Sequence, residues 1–295
     1  MAEAIRKLIR EYQDGKIGRR AFMRKVVALI GSVVAAKTFI EGFVSTGAHA
    51  AQVDPSDPTL LWHDVEYEGK ATPVFGYLAR PAAVKKFPAI IVIHANQGLN
   101  DSARDVARRL AKQGYVALAV DYLSRHGGTK KVNPKGEGLS NIRDLAPWYG
   151  VAEDTDSGFA FLRTLPDVQA DRSGLIGFCW GGEMTFASAT EVRGLKAAVV
   201  FYGRSPKPLD LVKNIQAPVL AHYGEKDPNV NQDIPGTEEA MKKYRKSYVH
   251  KIYPGAQHGF YTETNPERYH PEAAKEAWTK TLEFFSTNLQ GKGGR

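Results

Sequence analysis

The only cysteine of this 295-residue chain, Cys179, lies in a stretch that reads Leu-Ile-Gly-Phe-Cys-Trp-Gly-Gly. Gly177 and Gly181 stand two residues before and two residues after it. This spacing is typical of a nucleophile elbow, in which small residues let a strand and the following helix approach closely around a sharp turn. A helix beginning near Gly182 would direct its N-terminus at the sulfur and favour the thiolate. The pattern predicts a nucleophilic thiol; a buried structural cysteine beside a glycine turn is the alternative.

A base and an orienting acid are available after two later strands. Ligands of open α/β sheets bind beyond the carboxyl ends of the strands, and Asp227 and His258 each come just after a predicted strand. A neutral histidine accepts the thiol proton, and a carboxylate fixes its tautomer. Glu225 and His222 are the alternatives, but Glu225 comes early in its loop and His222 lies inside a strand. The order nucleophile, acid, histidine is that of the α/β-hydrolase fold.

The elements that position these residues alternate along the chain. Apolar runs predict buried strands at 87–94, 115–123, 195–202 and 217–223, and further strands are predicted at 173–178 and 248–253. Helical patterns cover 101–113, 154–165, 236–246 and 271–289. The first of these helices has Asp101 or Ser102 available as its N-cap. This alternation predicts an α/β protein with a mostly parallel central sheet and helices on both faces, in one domain over residues 51–295.

Three further segments complete the domain. Residues 52–61 are rich in Pro and Asp and are predicted to be a linker. Residues 65–68 and 74–78 alternate in polarity and predict two antiparallel edge strands joined near Gly69. Residues 124–148 are rich in Gly and Lys, and we interpret them as an irregular lid or substrate-facing insertion.

Residues 1–50 have the features of an export signal. Arg19 and Arg20 are followed one residue later by Phe22, as in a twin-arginine motif, and an apolar stretch covers 26–36. Ala48-His49-Ala50 fits a cleavage site, so we expect a leader over 1–50, recognised by the export machinery, and a periplasmic mature protein. An amphipathic N-terminal helix is the alternative, since apolar residues recur there at helical spacing.

The distribution of charge argues against a nucleic-acid partner. The formal net charge is +8, but residues 1–50 hold nine basic and four acidic residues, which leaves 31 basic and 28 acidic residues in the rest. The main domain is therefore nearly balanced and lacks the charge excess of a polyanion-binding surface. A single cysteine also excludes an intrachain disulfide and a zinc site built from several cysteines.

Over roughly residues 65–289 the chain resembles the dienelactone hydrolase family, a branch of the α/β hydrolases that uses Cys, Asp and His. The resemblance is carried by Gly177-Phe-Cys-Trp-Gly-Gly, Asp227, His258-Gly-Phe, His94-Ala-Asn-Gln-Gly-Leu-Asn and Asp121-Tyr-Leu-Ser-Arg. It implies that Cys179 is the nucleophile, His258 the base and Asp227 its orienting acid. It also implies an oxyanion hole from the backbone N–H groups of Trp180 and Asn96, a substrate carboxylate facing Arg125, and Tyr202 in the pocket wall.

Two positions depart from the family pattern. The family usually has Glu immediately after the strand that ends here at His94, where its carboxylate interacts with the thiol, and this chain has Ala95. A second arginine that helps to hold the substrate carboxylate in the dienelactone enzymes corresponds to Thr262. Ala95 would line the substrate site without taking part in proton movement, so thiol activation would depend on His258 and the helix terminus.

Two functions of different classes follow. The first is hydrolysis of carboxylic esters or lactones through a thioester acyl-enzyme on Cys179, with no metal or organic cofactor and with activity weakened by Ala95. The second is a non-catalytic exported binding or scaffold protein that retains the fold. The intact set of Cys179, Asp227 and His258 favours the hydrolase.

Overall fold

The computed structural model describes Lys25, Val53, Asp54 and residues 56–290, so the expected leader lies outside the described residues apart from Lys25. The fold is that of the unit Gln52–Arg295. In the described part of the chain eight strands form one sheet. They are β1 Leu60–Tyr67, β2 Val74–Pro81, β3 Phe87–Ile93, β4 Val116–Val120, β5 Val168–Phe178, β6 Leu195–Phe201, β7 Val219–Lys226 and β8 Tyr248–Gln257.

The order of the strands across the sheet is β1-β2-β4-β3-β5-β6-β7-β8. The β1–β2 and β2–β4 pairs are antiparallel, and the remaining pairs from β4 to β8 are parallel. The mostly parallel sheet and the antiparallel hairpin at one edge are therefore confirmed. All the parallel strands end at the same edge of the sheet, which brings the loops after β3, β5, β6, β7 and β8 together.

The helices that connect and cover the strands are α1 Asp101–Lys112, α2 Thr129–Val132, α3 Ile142–Leu145, α4 Trp148–Thr164, α5 Trp180–Ser188, α6 Pro228–Asn231, α7 Ile234–Lys243 and α8 Pro271–Phe285. Two 3-10 turns cover Ser124–His126 and Leu209–Asn214, and a π-helical turn, Ser286–Gln290, follows α8. No helix in the described part of the chain combines the length and the apolar content of a membrane span.

Both faces of the sheet are covered by helices. The side chains of β3 show this, since they alternate between two hydrophobic clusters on opposite faces. Ile90 and Val92 pack in a cluster that contains apolar residues of α1 and α8. Ile91 and Ile93 pack on the opposite face, in a cluster that contains residues of α4, α5 and α7. All seven residues of β3 are buried, as the continuous apolar run predicts for a strand covered on both sides.

Several predicted boundaries are wrong. The strand β1 begins at Leu60, inside the expected linker, and α4 begins at Trp148 rather than near 154 because Pro147 directly precedes its first turn. The cap of α1 is Asn100, whose side-chain Oδ1 accepts the Ala103 N–H at 3.1 Å; Asp101 lies inside the first turn. The segment 124–148 contains a 3-10 turn and the short helices α2 and α3, so it is not irregular throughout.

Candidate active site

The elbow around Cys179 is a strained strand-to-helix turn. Cys179 has φ +58° and ψ −120°, in a region that L residues rarely adopt and that costs on the order of 1–3 kcal/mol. The helix α5 begins immediately afterwards at Trp180, two residues earlier than the sequence indicated, so the sulfur stands at its N-terminus.

The two flanking glycines are required by backbone contacts rather than by their dihedral angles. A Cβ at Gly177 would lie 2.1 Å from the carbonyl oxygen of Gly181. A Cβ at Gly181 would lie 2.3 Å from the carbonyl oxygens of both Ile93 and His94, at the end of β3. Real Cβ atoms essentially never approach other atoms so closely. The glycines therefore let α5 pack directly against the strands that present Cys179.

The pairing of β7 with β8 places the acid beside the histidine. Lys226 is the register partner of Gln257, so Asp227 and His258 are the next residues of two neighbouring strands. The Nδ1 atom of His258 lies 2.6 Å from Oδ2 of Asp227, and its Nε2 atom lies 3.0 Å from Sγ of Cys179. The structure thus brings together the three residues that the sequence singled out for this chemistry.

The electrostatics of the site favour a charged imidazole. Burial alone would lower the pKa of His258, but hydrogen bonds to Asp227 and Cys179 and the negative charges on both partners raise it to about 9. Asp227 is itself buried, with 5 % of its surface exposed, so its carboxylate interacts with His258 in a poorly hydrated setting. The arrangement is suited to a thiolate–imidazolium pair held by a carboxylate.

The two backbone groups expected to form the oxyanion hole lie on neighbouring strand ends. Asn96 follows β3, which pairs directly with β5, the strand that leads into Cys179. The first intrahelical bond of α5 runs from the Glu183 N–H to the Cys179 carbonyl at 3.1 Å, so the Trp180 N–H precedes the helical ladder. The Asn96 carbonyl accepts the Leu139 N–H at 3.1 Å, and its side-chain amide donates to the Leu139 carbonyl at 3.3 Å. The role of these amides in catalysis stays a prediction.

His94 positions the loop that follows β3, a role that the sequence analysis missed. It is 1 % exposed; Nδ1 lies 2.7 Å from the Ala95 carbonyl, and Nε2 accepts the Tyr122 N–H at 3.2 Å. These partners require the proton on Nδ1. Burial lowers the pKa of His94, so the ring is neutral. Its ring also stacks on that of Trp180, with the centroids 5.4 Å apart. The position of His94 at the end of a buried strand is the sequence feature that could have indicated this role.

Arg125, which the resemblance implies would face a substrate carboxylate, pairs with two acids of α4, and its role toward the substrate stays a prediction. Its Nη2 donates to Asp154 Oδ1 at 2.8 Å and to Glu153 Oε2 at 2.9 Å, and its side chain is 22 % exposed. Two carboxylates of α4 therefore neutralise this guanidinium. Because α4 begins earlier than predicted, its first turns are available for this pairing.

Tyr202 is buried, and its ring lies against the imidazole of His258. Its ring centroid lies 5.1 Å from that of His258, and its hydroxyl lies 3.4 Å from Oγ1 of Thr262. Burial raises its pKa well above the ordinary value, so the hydroxyl stays protonated. Tyr202 has φ +39°, another strained position at the same edge of the sheet.

Ala95 borders a cavity beside the elbow. The cavity has a volume of about 80 Å³, and Phe178 and Thr262 line it together with Ala95. Asp105, Arg109 and Glu263 also contribute to its walls, and Arg109 pairs with both acids. A longer side chain at position 95 would extend into this space. The two departures from the family pattern, at 95 and 262, thus border one cavity.

Residues 74–289 match the Dienelactone hydrolase family. A Synechocystis protein, by name a carboxymethylenebutenolidase, is 35% identical over 74% of this chain and 93% of its own length. A Bradyrhizobium protein, by name a 2-oxo-3-(5-oxofuran-2-ylidene)propanoate lactonase, is 34% identical over 78% of this chain and 95% of its own.

A solved structure has the same fold. The crystal structure of a Klebsiella pneumoniae protein, by title a dienelactone hydrolase, superposes with a TM-score of 0.70 at 28% identity, and covers 77% of this chain and 98% of that one. The match of family, curated relatives and solved fold over the same region shows that the chain belongs to the dienelactone hydrolase family.

Proposed function

We propose that the protein hydrolyses carboxylic esters or lactones, with Cys179 as nucleophile, His258 as base and Asp227 as its orienting acid. The observation that carries this proposal is the continuous contact from Asp227 Oδ2 through the imidazole of His258 to Cys179 Sγ, at 2.6 and 3.0 Å. The names of the relatives from Synechocystis and Bradyrhizobium support a lactone as the substrate.

The reaction begins with attack of the Cys179 thiolate on the carbonyl carbon. The tetrahedral oxyanion is held by the backbone N–H groups of Trp180 and Asn96. Its collapse breaks the bond to the alkoxide, which takes a proton from the His258 imidazolium and leaves a thioester on Cys179. In a lactone, this alcohol stays on the same molecule as the acyl group.

Hydrolysis of the thioester regenerates the thiolate. The neutral imidazole of His258 takes a proton from water, and the resulting hydroxide attacks the thioester carbonyl. Loss of the thiolate releases the acid, and the imidazolium pairs again with Cys179. Thiolate leaves more readily than an amide nitrogen from a tetrahedral intermediate, so activated esters and lactones are better substrates than amides.

Turnover of p-nitrophenyl acetate tests the proposal. We expect activity in the unaltered protein and its loss in Cys179→Ala. Asp227→Asn should lower kcat by about 10²- to 10⁴-fold because the tautomer of His258 is no longer fixed. Glu225→Gln is the matched control: its carboxylate accepts the Gly255 N–H away from the imidazole, so activity should be kept.

The non-catalytic alternative makes a different prediction. A binding protein that retains the fold would show equal, background rates with Cys179 and with Ala at position 179. Its thiol would also react slowly with iodoacetamide and with the pH profile of an ordinary cysteine. Full turnover by Cys179→Ala would instead show that another nucleophile acts.

A further inference from the structure

The segment between β4 and α4 is held by hydrogen bonds against the loop that follows β3. Besides the paired hydrogen bonds between Leu139 and Asn96, the side-chain amide of Asn133 donates to the Gln97 carbonyl at 2.8 Å. The Thr129 hydroxyl accepts the Leu99 N–H at 2.8 Å. The residues that follow Leu139 in this segment are therefore held near the nucleophile.

Arg143 lies on α3 of this segment and reaches the helix that carries the nucleophile. Its neighbour Ile142 is 1 % exposed and packs in the same hydrophobic cluster as Trp180 and Met184 of α5. Arg143 itself points outward: its Nη2 donates to Glu183 Oε2 at 2.5 Å, and its side chain is 57% exposed. Glu183 lies in the first turn of α5.

Arg143 is linked to the nucleophile through Glu183, whose backbone N–H donates to the Cys179 carbonyl at 3.1 Å. The pKa of its guanidinium is raised, chiefly by the hydrogen bond to Glu183, and the negative charge of Cys179 adds to that rise. Within the described residues Nη1 of Arg143 makes no hydrogen bond, whereas Arg125 is shared between two acids. Arg143 is thus an accessible cation held against the first turn of the helix that follows the nucleophile, and its Nη1 donors are available to a ligand.

We propose that Arg143 is the residue that recognises an anionic group of the substrate, a carboxylate on the acyl or alcohol part of the lactone or ester. This inference rests on the proposed function and adds a specificity determinant to it. The donors of Nη1 would bind the carboxylate, while the pair with Glu183 holds the guanidinium at the rim of the site. Glu183 limits this attraction, because it already neutralises much of the charge of Arg143.

Alkylation of Cys179 by two probes tests the proposal independently of hydrolysis. Iodoacetate is anionic and iodoacetamide is neutral, and both react with the thiolate by displacing iodide. The ratio of their rate constants therefore cancels any change in thiolate content. We expect Arg143→Gln to lower the ratio of iodoacetate to iodoacetamide by about 3- to 10-fold at low salt, and Glu183→Gln to raise it.

Arg125→Gln is the matched control and should leave the ratio unchanged. An unchanged ratio in Arg143→Gln with intact folding, or an equal fall in Arg125→Gln, would overturn the proposal. Arg143→Lys, which keeps the charge, should retain most of the preference. If the protein does not turn over p-nitrophenyl acetate, the proposed hydrolysis fails, yet the ratio still reports whether a cation at Arg143 faces the thiol.

Discussion

His258 contacts both of the residues on which the proposed chemistry depends. The carboxylate of Asp227 is nearly inaccessible to water, so its charge is poorly screened at the imidazole. The hydrogen bond and the electrostatic interaction with Cys179 on the other side raise the pKa of His258 further. Burial alone would lower the pKa of this histidine. The interactions with Asp227 and Cys179 outweigh burial, so the pKa is raised and the imidazolium is stable at neutral pH.

This raised pKa makes folding stability depend on pH. The proton on His258 is held up to about pH 9 in the folded chain, but only up to about pH 6.5 in the unfolded chain. The stabilisation is thus fully present below about pH 6.5 and is lost as pH rises through about 9. We predict that the free energy of unfolding falls over this window in the unaltered protein and falls less in His258→Gln.

Urea unfolding at several pH values from 6 to 10 measures this effect. The difference between the two proteins should shrink as pH rises, by at most about 3 kcal/mol. Cys179→Ala serves as a second comparison, because it removes one of the two anionic partners and should give an intermediate slope. Parallel pH profiles for the unaltered protein and His258→Gln would show that the imidazole is not preferentially charged in the folded state.

Residue types and spacing predict the partners of this site better than they predict its surroundings. Cys179, Asp227 and His258 each come just after a predicted strand, and apolar runs show where most of these strands end. The placement of Arg125 could not be predicted in the same way. Its two acidic partners lie on α4, and the pairing depends on how that helix packs on the sheet.

At the scale of elements, the site depends on the close packing of α5 against β3 and β5. Gly181 lies against the last carbonyl groups of β3, and Gly182 lies against β6, where a Cβ would be 2.5 Å from the Phe201 carbonyl oxygen. These contacts bring the N-terminus of α5 to the strand ends that carry Cys179 and Asn96. Close contacts between backbones therefore position both the elbow and the loop after β3.

We predict that Gly181→Ala destabilises the protein by about 1–3 kcal/mol, because its Cβ meets backbone atoms that cannot move without separating α5 from β3. Gly236→Ala is the control: it lies inside α7, and its Cβ would meet only the Leu209 Cδ2 atom, at 3.5 Å. That change should stabilise the protein by up to about 1 kcal/mol. Denaturant unfolding of both variants measures the contrast, and equal effects would contradict the steric account.

The spacing of glycines around Cys179 predicts this packing, since the elbow requires small residues at those positions. The sequence is less informative about the segment 124–148. Its polar composition predicts loop structure, but its short helices are held by hydrogen bonds to the distant loop after β3, such as Leu139 to Asn96 and Asn133 to Gln97. Contacts between residues so far apart in sequence leave no periodic pattern.

For the whole molecule, alternation of strands and helices predicts the architecture, and the antiparallel edge follows from the alternating polarity of residues 65–68 and 74–78. The order β2-β4-β3 across the sheet does not follow from the sequence, because it depends on which strand each crossover helix reaches. The position of the site at the carboxyl ends of the parallel strands follows from the architecture once it is known.

Residues 1–50 concern the location of the whole protein, and we propose that they form a twin-arginine export leader. Expression of the full chain should give a product that begins near Ala51 in the periplasmic fraction, and Arg19→Lys with Arg20→Lys should retain the uncleaved protein in the cytoplasm. Fractionation and N-terminal sequencing measure both. A cytoplasmic, uncleaved product from the unaltered chain would contradict the proposal.

The most direct test of the central claim is to trap the acyl group on the proposed nucleophile. The protein is mixed with p-nitrophenyl acetate, quenched in acid within a turnover, and mapped by peptide mass spectrometry. We predict one acetyl group on the peptide that contains Cys179, removable by hydroxylamine as a thioester, and none in Cys179→Ala. Acetylation of another residue during turnover, or undiminished turnover by Cys179→Ala, would contradict the account.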